Sequence, residues 1–261
     1  MISVEALWRY PVKSCKGHSV ERAEVRPRGF ADDRRWMIVD ADGRHFTQRE
    51  SGALALVEPR LSGDGVAFVD GPSISPADLG AEVDVTIWDY PVGALEAPDV
   101  VNAWLSERAG AAVRLVYMPD SSHRRVDHAY GRDGDVVSFA DGYPYLIASL
   151  ASLEDLNRRL PAPIPMRRFR PNIVLSGCGP FEEDTWKRVR IAALEFDVVK
   201  PCARCVVIDT DPDTGERRKG VLKTLSTYRR WDGQVYFGQN AIARGLGEVR
   251  VGDEVEVLAR R

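Results

Sequence analysis

The sequence predicts a β-barrel-rich α+β fold. Three observations predict it. Short β-branched and aromatic runs recur along the whole chain, Gly, Asp and Pro clusters punctuate them, and only two stretches carry a helical apolar period. With 261 residues the chain can bury a full core and divide in two. A hydrophobic share of 44% with 29% charged residues is that of an ordinary soluble globule.

Residues 2–8 approximate period-two alternation and stop at Tyr10-Pro11, which makes them an opening strand. Residues 36–39, 45–47, 66–69, 83–88 and 113–116 are the next strands. Asp42-Gly43, Gly63-Asp64-Gly65 and Asp70-Gly71-Pro72 turn the chain between them. A helix is expected over 99–109, because Val100, Val101, Trp104 and Leu105 share a face and Gly110 stands where a C-terminal cap belongs. The polar stretch 123–136 is a loop between halves. A second helix runs over about 149–160, with Leu153, Leu156 and Leu160 on one face and Pro161 ending it. Strands then return at 173–175, 189–192 and 194–199. Residues 206–208 continue as strand, 211–215 form a turn, and 249–258 read as a final hairpin about Gly252-Asp253.

A net charge of −3 gives no global case for a nucleic-acid partner. Only six of the 36 basic residues are lysine, so a lone arginine is weak evidence for a phosphate site. The first residues carry no basic leader before an apolar core, and no run approaches the length of a membrane span. No signal peptide and no membrane partner are expected. Four scattered cysteines make no disulfide framework, so the cytoplasm is the expected compartment.

The stretch Lys200-Pro201-Cys202-Ala203-Arg204-Cys205 holds two of the four cysteines. A thiolate is a soft ligand for thiophilic metals, and a neighbouring arginine offers charge and a rigid donor fork. A thioredoxin-type dithiol wants its pair at the start of a helix, and the strand expected at 206–208 speaks against it. Zinc needs further ligands, and Cys15 and Cys178 are isolated in the sequence. Quietly buried cysteines remain an alternative. Three other segments join it: Tyr10 to Gly17 with two lysines and a serine, Asp33-Arg34, and Phe169-Arg170-Pro171-Asn172, where a proline fixes the backbone between an arginine and an amide.

Together with Asp141-Gly142-Tyr143-Pro144, Asp211 to Gly215 and Phe237-Gly238-Gln239, these segments occur in the order found in the MOSC family. The chain resembles proteins that join a MOSC N-terminal β-barrel to a MOSC domain. That group includes the mitochondrial amidoxime reducing component and bacterial YcbX-like proteins. The resemblance spans nearly the whole chain. It implies a MOSC β-barrel domain over 116–261 and a smaller N-terminal β lobe over 1–115, with 1–35 packing against the MOSC domain.

The resemblance implies that Cys205 ligates the molybdenum of a molybdenum cofactor, with Cys202 a bystander. It implies cofactor contacts at Lys13, Ser14, Arg34, Arg170, Asn172 and Arg204, whose charges and amide suit phosphate and pterin acceptors. Asp141, Gly142, Tyr143, Ala203 and Asn240 stand at family contact positions. The implied reaction is two-electron reduction of small N-hydroxylated substrates such as amidoximes and hydroxylamines. Asp141, Tyr143, His123 and His128 are candidate proton donors. With Cys205 used, too few cysteines remain for an iron–sulfur cluster, so electrons are expected from a separate ferredoxin or flavin reductase. The N-terminal anchor of the mitochondrial members is not expected here. Two other readings stay open: a sulfur carrier with a persulfide on Cys205, and a β-rich domain whose site is inactive.

Overall fold

Val4 and Leu7 enter the same apolar core although three positions separate them. The ladder slips between Val4 and Ala6, and this bulge restores the inward alternation of β1 (Ile2–Arg9). In the computed structural model, which describes residues 1–261, β1 is one stave of a closed barrel. The others are β2 (Tyr145–Ser149), β3 (Ile173–Ser176), β4 (Trp186–Ile191), β5 (Leu194–Ala203), β6 (Gln234–Ala243) and β7 (Glu254–Arg260). Their order is β2-β3-β1-β7-β4-β5-β6, and β6 pairs back with β2 to close the ring. Only β2 and β3 run parallel; every other neighbouring pair is antiparallel. Closure leaves this sheet no open edge around its girth.

Ile147, Ile173, Leu175, Trp186, Val189 and Phe196 fill the barrel. Ala148 and Val174 alternate outward into a second core. There they meet Leu153 and Leu156 of α2 (Leu150–Asn157), Phe169, Ile208 and Phe237. Both faces of β2 and β3 are therefore buried, which is why they read as continuous apolar runs. A short strand pair, Arg22–Arg26 with Gly247–Arg250, extends the barrel's apolar core.

The chain leaves the barrel after Phe30 and returns after Tyr117. Between them lies a β lobe. One sheet orders Trp36–Val39, Arg114–Tyr117, Tyr90–Glu96 and Glu82–Ile87, and a small one orders Pro59–Ser62, Gly65–Phe68 and Ser73–Ile74. The helix α1 (Asp99–Ala109) buries Val101 and Leu105 in this lobe, and Gly110 caps it in left-handed backbone at φ 68°. The chain thus has three α-helices, α1, α2 and a short α3 (Val221–Ser226), among many strands, short 3₁₀ turns and loops. This is the β-rich α+β fold the sequence predicts.

Four local expectations need correction. Residues 45–47 form no strand: His45 makes an isolated bridge with Val39, next to one between Arg44 and Thr86. Val100 is 68% exposed and does not share the buried face of α1. The strand expected at 206–208 is a 3₁₀ turn, Val206–Asp209, with Cys205 at its N-cap. Its cause is tertiary: Ile208 drops into the second core, and the Asp209 carboxylate accepts from the Gly220, Val221 and Leu222 amides that open α3. The hairpin expected at 249–258 does not form, since Gly247–Arg250 pairs with Arg22–Arg26 while β7 pairs with β1 and β4.

Candidate active site

Ser14, Arg34 and Arg170 lie in left-handed backbone, at φ 68°, 52° and 55°. For a residue with a side chain this conformation costs about 1 kcal/mol or more, and it persists where surrounding structure enforces it. All three border one cavity of about 130 Å³ at the junction of lobe and barrel. The same cavity is lined by Lys13, Asp141, Gly142, Tyr143, Asn172, Ala203, Arg204, Cys205 and Asn240. Every metal-ligand and cofactor-contact residue named from the sequence is therefore on its wall.

Local hydrogen bonds explain how they converge. Asp33, 1% exposed, accepts from the Tyr10 amide at 2.8 Å and from Arg34 Nη1 at 2.5 Å. Arg34 also donates to Asn172 Oδ1 at 3.3 Å and to the Arg170 carbonyl at 3.0 Å. Asn172 Nδ2 donates to the Trp8 carbonyl, which ties β1 to the start of β3. Arg34 and Arg170 both stack on the Tyr10 ring, 4.5 and 4.3 Å from its centroid. Arg204 Nη2 donates to the Phe169 carbonyl at 2.5 Å, and its Nη1 to Cys202 Sγ at 2.9 Å. Buried Arg124 holds the loop before Gly142, donating to the carbonyls of Ser138, Ala140 and Asp141.

The cavity is cationic. Lys13, Arg34, Arg49, Arg168, Arg170 and Arg204 line it against one carboxylate, Asp141. Lys13, 7% exposed at its side chain, ion-pairs with Asp141, which is 71% exposed. Burial pushes Lys13 down to about 8 against the pull of Asp141. The Lys13 ammonium beside it holds the Asp141 carboxyl well below the usual carboxylate range. Burial and the neighbouring Arg34 charge lower Arg170 to about 10, which leaves it charged at neutral pH.

The wall suits an anionic, polar ligand. Arg170 Nη2, Arg204 Nε and Arg168 Nε are buried without partners, and a buried unpaired donor is costly. Neither Arg170 nor Arg204 has a carboxylate within ion-pair distance, whereas Arg34 and Arg168 do. A side chain added at Gly142 would meet no atom within 4 Å, so protein packing does not require glycine there. No group of three or more His, Cys, Asp and Glu could hold a metal. Cys15 lies in the lobe core and Cys178 against the barrel core, which removes a four-cysteine zinc site. The soft sulfur of Cys205 and the surrounding donors would fit a metal already carried by an anionic organic ligand, which would need no further protein ligands.

Of the proton-donor candidates, Asp141 and Tyr143 border the cavity, while His123 and His128 do not. Burial raises the Tyr143 hydroxyl above its ordinary value. Cys202 also lines the cavity, half-buried beside Arg204. Sequence reasoning missed Arg49, Thr47 and Arg168. Arg49 Nη2 stands 3.2 Å from Cys205 Sγ, and nothing in a chain so rich in arginine singles it out. The turn at Asp211–Gly215 has a role the sequence left open. A side chain on Gly52 would collide with the Gly215 carbonyl oxygen, so this turn seats the lobe segment that carries Arg49. Behind Arg168 and Arg170, which border both, lies a second cavity of about 340 Å³. It contains no cysteine, and the chemistry concentrates in the smaller one.

The family model described as "MOSC domain" matches residues 134–256, and "MOSC N-terminal beta barrel domain" matches 1–112. The mitochondrial amidoxime-reducing component 1 of Mus musculus is 33% identical over 99% of this chain and 83% of its own length. That of Homo sapiens is 32% identical over the same shares. The molybdenum cofactor sulfurase of Oryza sativa subsp. japonica is 32% identical over 91% of this chain, which corresponds to 32% of that protein.

Proposed function

The chain belongs to the MOSC family, and we propose that it is a molybdenum-cofactor-dependent oxidoreductase that reduces N-hydroxylated compounds such as amidoximes and hydroxylamines. One observation carries the reading: the Cys205 sulfur stands on a wall where six cations face a single carboxylate. Overall, an amidoxime with two electrons and two protons becomes an amidine and water. The cofactor, when bound, supplies the two-electron couple and the centre that accepts the substrate's oxygen.

The chain's residues bind and orient. Cys205 is the metal ligand. Arg170 and Arg204, which lack carboxylate partners, take the cofactor's anionic and acceptor groups with Lys13, and Ser14 and Arg34 stand beside them. Asn172 and Asp33 fix Arg34, so its fork is set before any ligand arrives. The open face at Gly142, flanked by Asp141 and Tyr143, leaves room beside these groups, and Ala203 and Asn240 line the same cavity. The Tyr143 hydroxyl, pushed up by burial, keeps its proton at neutral pH and serves as a hydrogen-bond donor to substrate.

The same proposal takes a separate protein as electron donor, a cytoplasmic location and a division into an N-terminal lobe and a MOSC domain near residue 115. No helix is long and apolar enough to cross a membrane. The test is molybdenum and pterin analysis of protein from a molybdenum-replete host, followed by benzamidoxime reduction with an artificial donor. Loaded protein inactive with amidoximes and hydroxylamines alike contradicts the catalytic reading.

A relative named for molybdenum cofactor sulfuration favours a second reading, a sulfur carrier with a persulfide on Cys205. Intact-mass measurement decides between them. One added sulfur atom on Cys205, without bound pterin, supports the carrier.

A further inference from the structure

Arg49 comes from the lobe, yet its guanidinium reaches the sulfur at the barrel's end, with Nη2 donating to Cys205 Sγ at 3.2 Å. It has no carboxylate partner within ion-pair distance. Its other contact is the face of Trp88, 4.6 Å from the ring centroid. Trp88 stands at the tip of the hairpin between Glu82–Ile87 and Tyr90–Glu96, in left-handed backbone at φ 55°. A bulky aromatic residue in that conformation carries strain that glycine would avoid. His45 packs on the same ring, with centroids 4.8 Å apart.

The backbone behind Arg49 is also held. Arg217 Nη2 donates to the Arg49 carbonyl at 3.0 Å and to the Gln48 carbonyl, and Gln48 Nε2 donates to the Ser14 carbonyl at 2.6 Å. A surface arginine serving only solubility needs neither a strained tryptophan nor a pinned main chain. This one is aimed at a single sulfur.

Resting on the reading of Cys205 as the metal ligand, we infer that Arg49, locked by Trp88, is a positioning residue that tunes the metal through a hydrogen bond to the Cys205 sulfur. Donors to a ligating sulfur fix its orientation and withdraw charge from the metal, which favours the reduced state. The lobe thereby sets the potential of a site whose ligand belongs to the barrel.

The experiment compares wild type with R49Q, R49K and W88G, each purified with its cofactor. It reads molybdenum content, melting temperature and the midpoint potential by redox titration under electron paramagnetic resonance. R49Q moves the midpoint to more negative values and retains molybdenum about tenfold less firmly on dialysis, with the wild-type melting temperature. R49K, which restores a charged donor, recovers part of the shift. W88G leaves Arg49 in place without its stacking ring and moves the midpoint the same way by less. R49Q with wild-type molybdenum content, spectrum and midpoint overturns the inference while leaving the cofactor reading intact. Wild-type protein that carries no molybdenum overturns both.

Discussion

The Lys13 ammonium and the Asp141 carboxylate meet on the cavity wall although 128 positions separate them. Lys13 lies in the loop after β1, where Val12 and Cys15 pack into the lobe core, and Asp141 precedes β2, so the pair spans the junction where both halves of the chain contribute to one site. It also stores a cation in a desolvated position, ready to be shared with an incoming anion.

This pair makes anion binding pH-dependent. Lys13 titrates at about 8 in the free protein. An anion beside it favours the protonated form, so binding takes up a proton above that value and none below it. Affinity for sulfate, an anion that does not itself titrate in this range, followed by calorimetry, is therefore flat below pH 8 and falls above it, by up to about tenfold per pH unit. The K13M variant loses the dependence. A wild-type profile that stays flat through pH 9.5 contradicts the assignment.

Asp33 and Arg34 form a pair whose side chains are 0% and 11% exposed. Removing one member leaves a buried charge uncompensated. R34A is expected to lower unfolding stability by about 3 kcal/mol or more, measured in urea. R34K, which keeps the charge but not the fork to Asn172 and the Arg170 carbonyl, restores stability only in part. A loss below about 1 kcal/mol in R34A shows that the pair is not the anchor of this wall.

Gly52 tests the seating of the lobe. Its added methyl group meets backbone, the Gly215 carbonyl oxygen, which cannot swing aside as a side chain does. G52A is expected to cost about 1–3 kcal/mol and to reduce cofactor retention, because the displaced segment carries Gln48 and Arg49. Cofactor content and urea midpoint both at wild-type values contradict this account of the Asp211–Gly215 turn.

Much of the architecture is legible where local and tertiary preferences agree. The helix at Asp99–Ala109 has its apolar period and its Gly110 cap in sequence, and it forms with those bounds. Val206-Val207-Ile208 misled because β-branched residues favour strands, whereas here Asp209 must reach the amides of α3. β6 went unread because Gly238, Gln239 and Asn240 interrupt its strand pattern; Gly238 is required there, since a side chain would meet the Ile147 carbonyl oxygen at 2.8 Å. The cavity wall was legible through the order of family motifs, which bring together residues from six separate segments. Arg49 was not, because its importance lies in a contact across 156 positions and not in any local pattern.

Cys205 carries the central claim, and the most direct test is the molybdenum-to-protein ratio of wild type and C205S purified in parallel, with pterin measured on the same samples. The account predicts close to one molybdenum and one pterin per wild-type chain. In C205S it predicts loss of most of the molybdenum, with an unchanged fold by circular dichroism and no benzamidoxime reduction. A C205S protein that keeps wild-type molybdenum and activity contradicts the account.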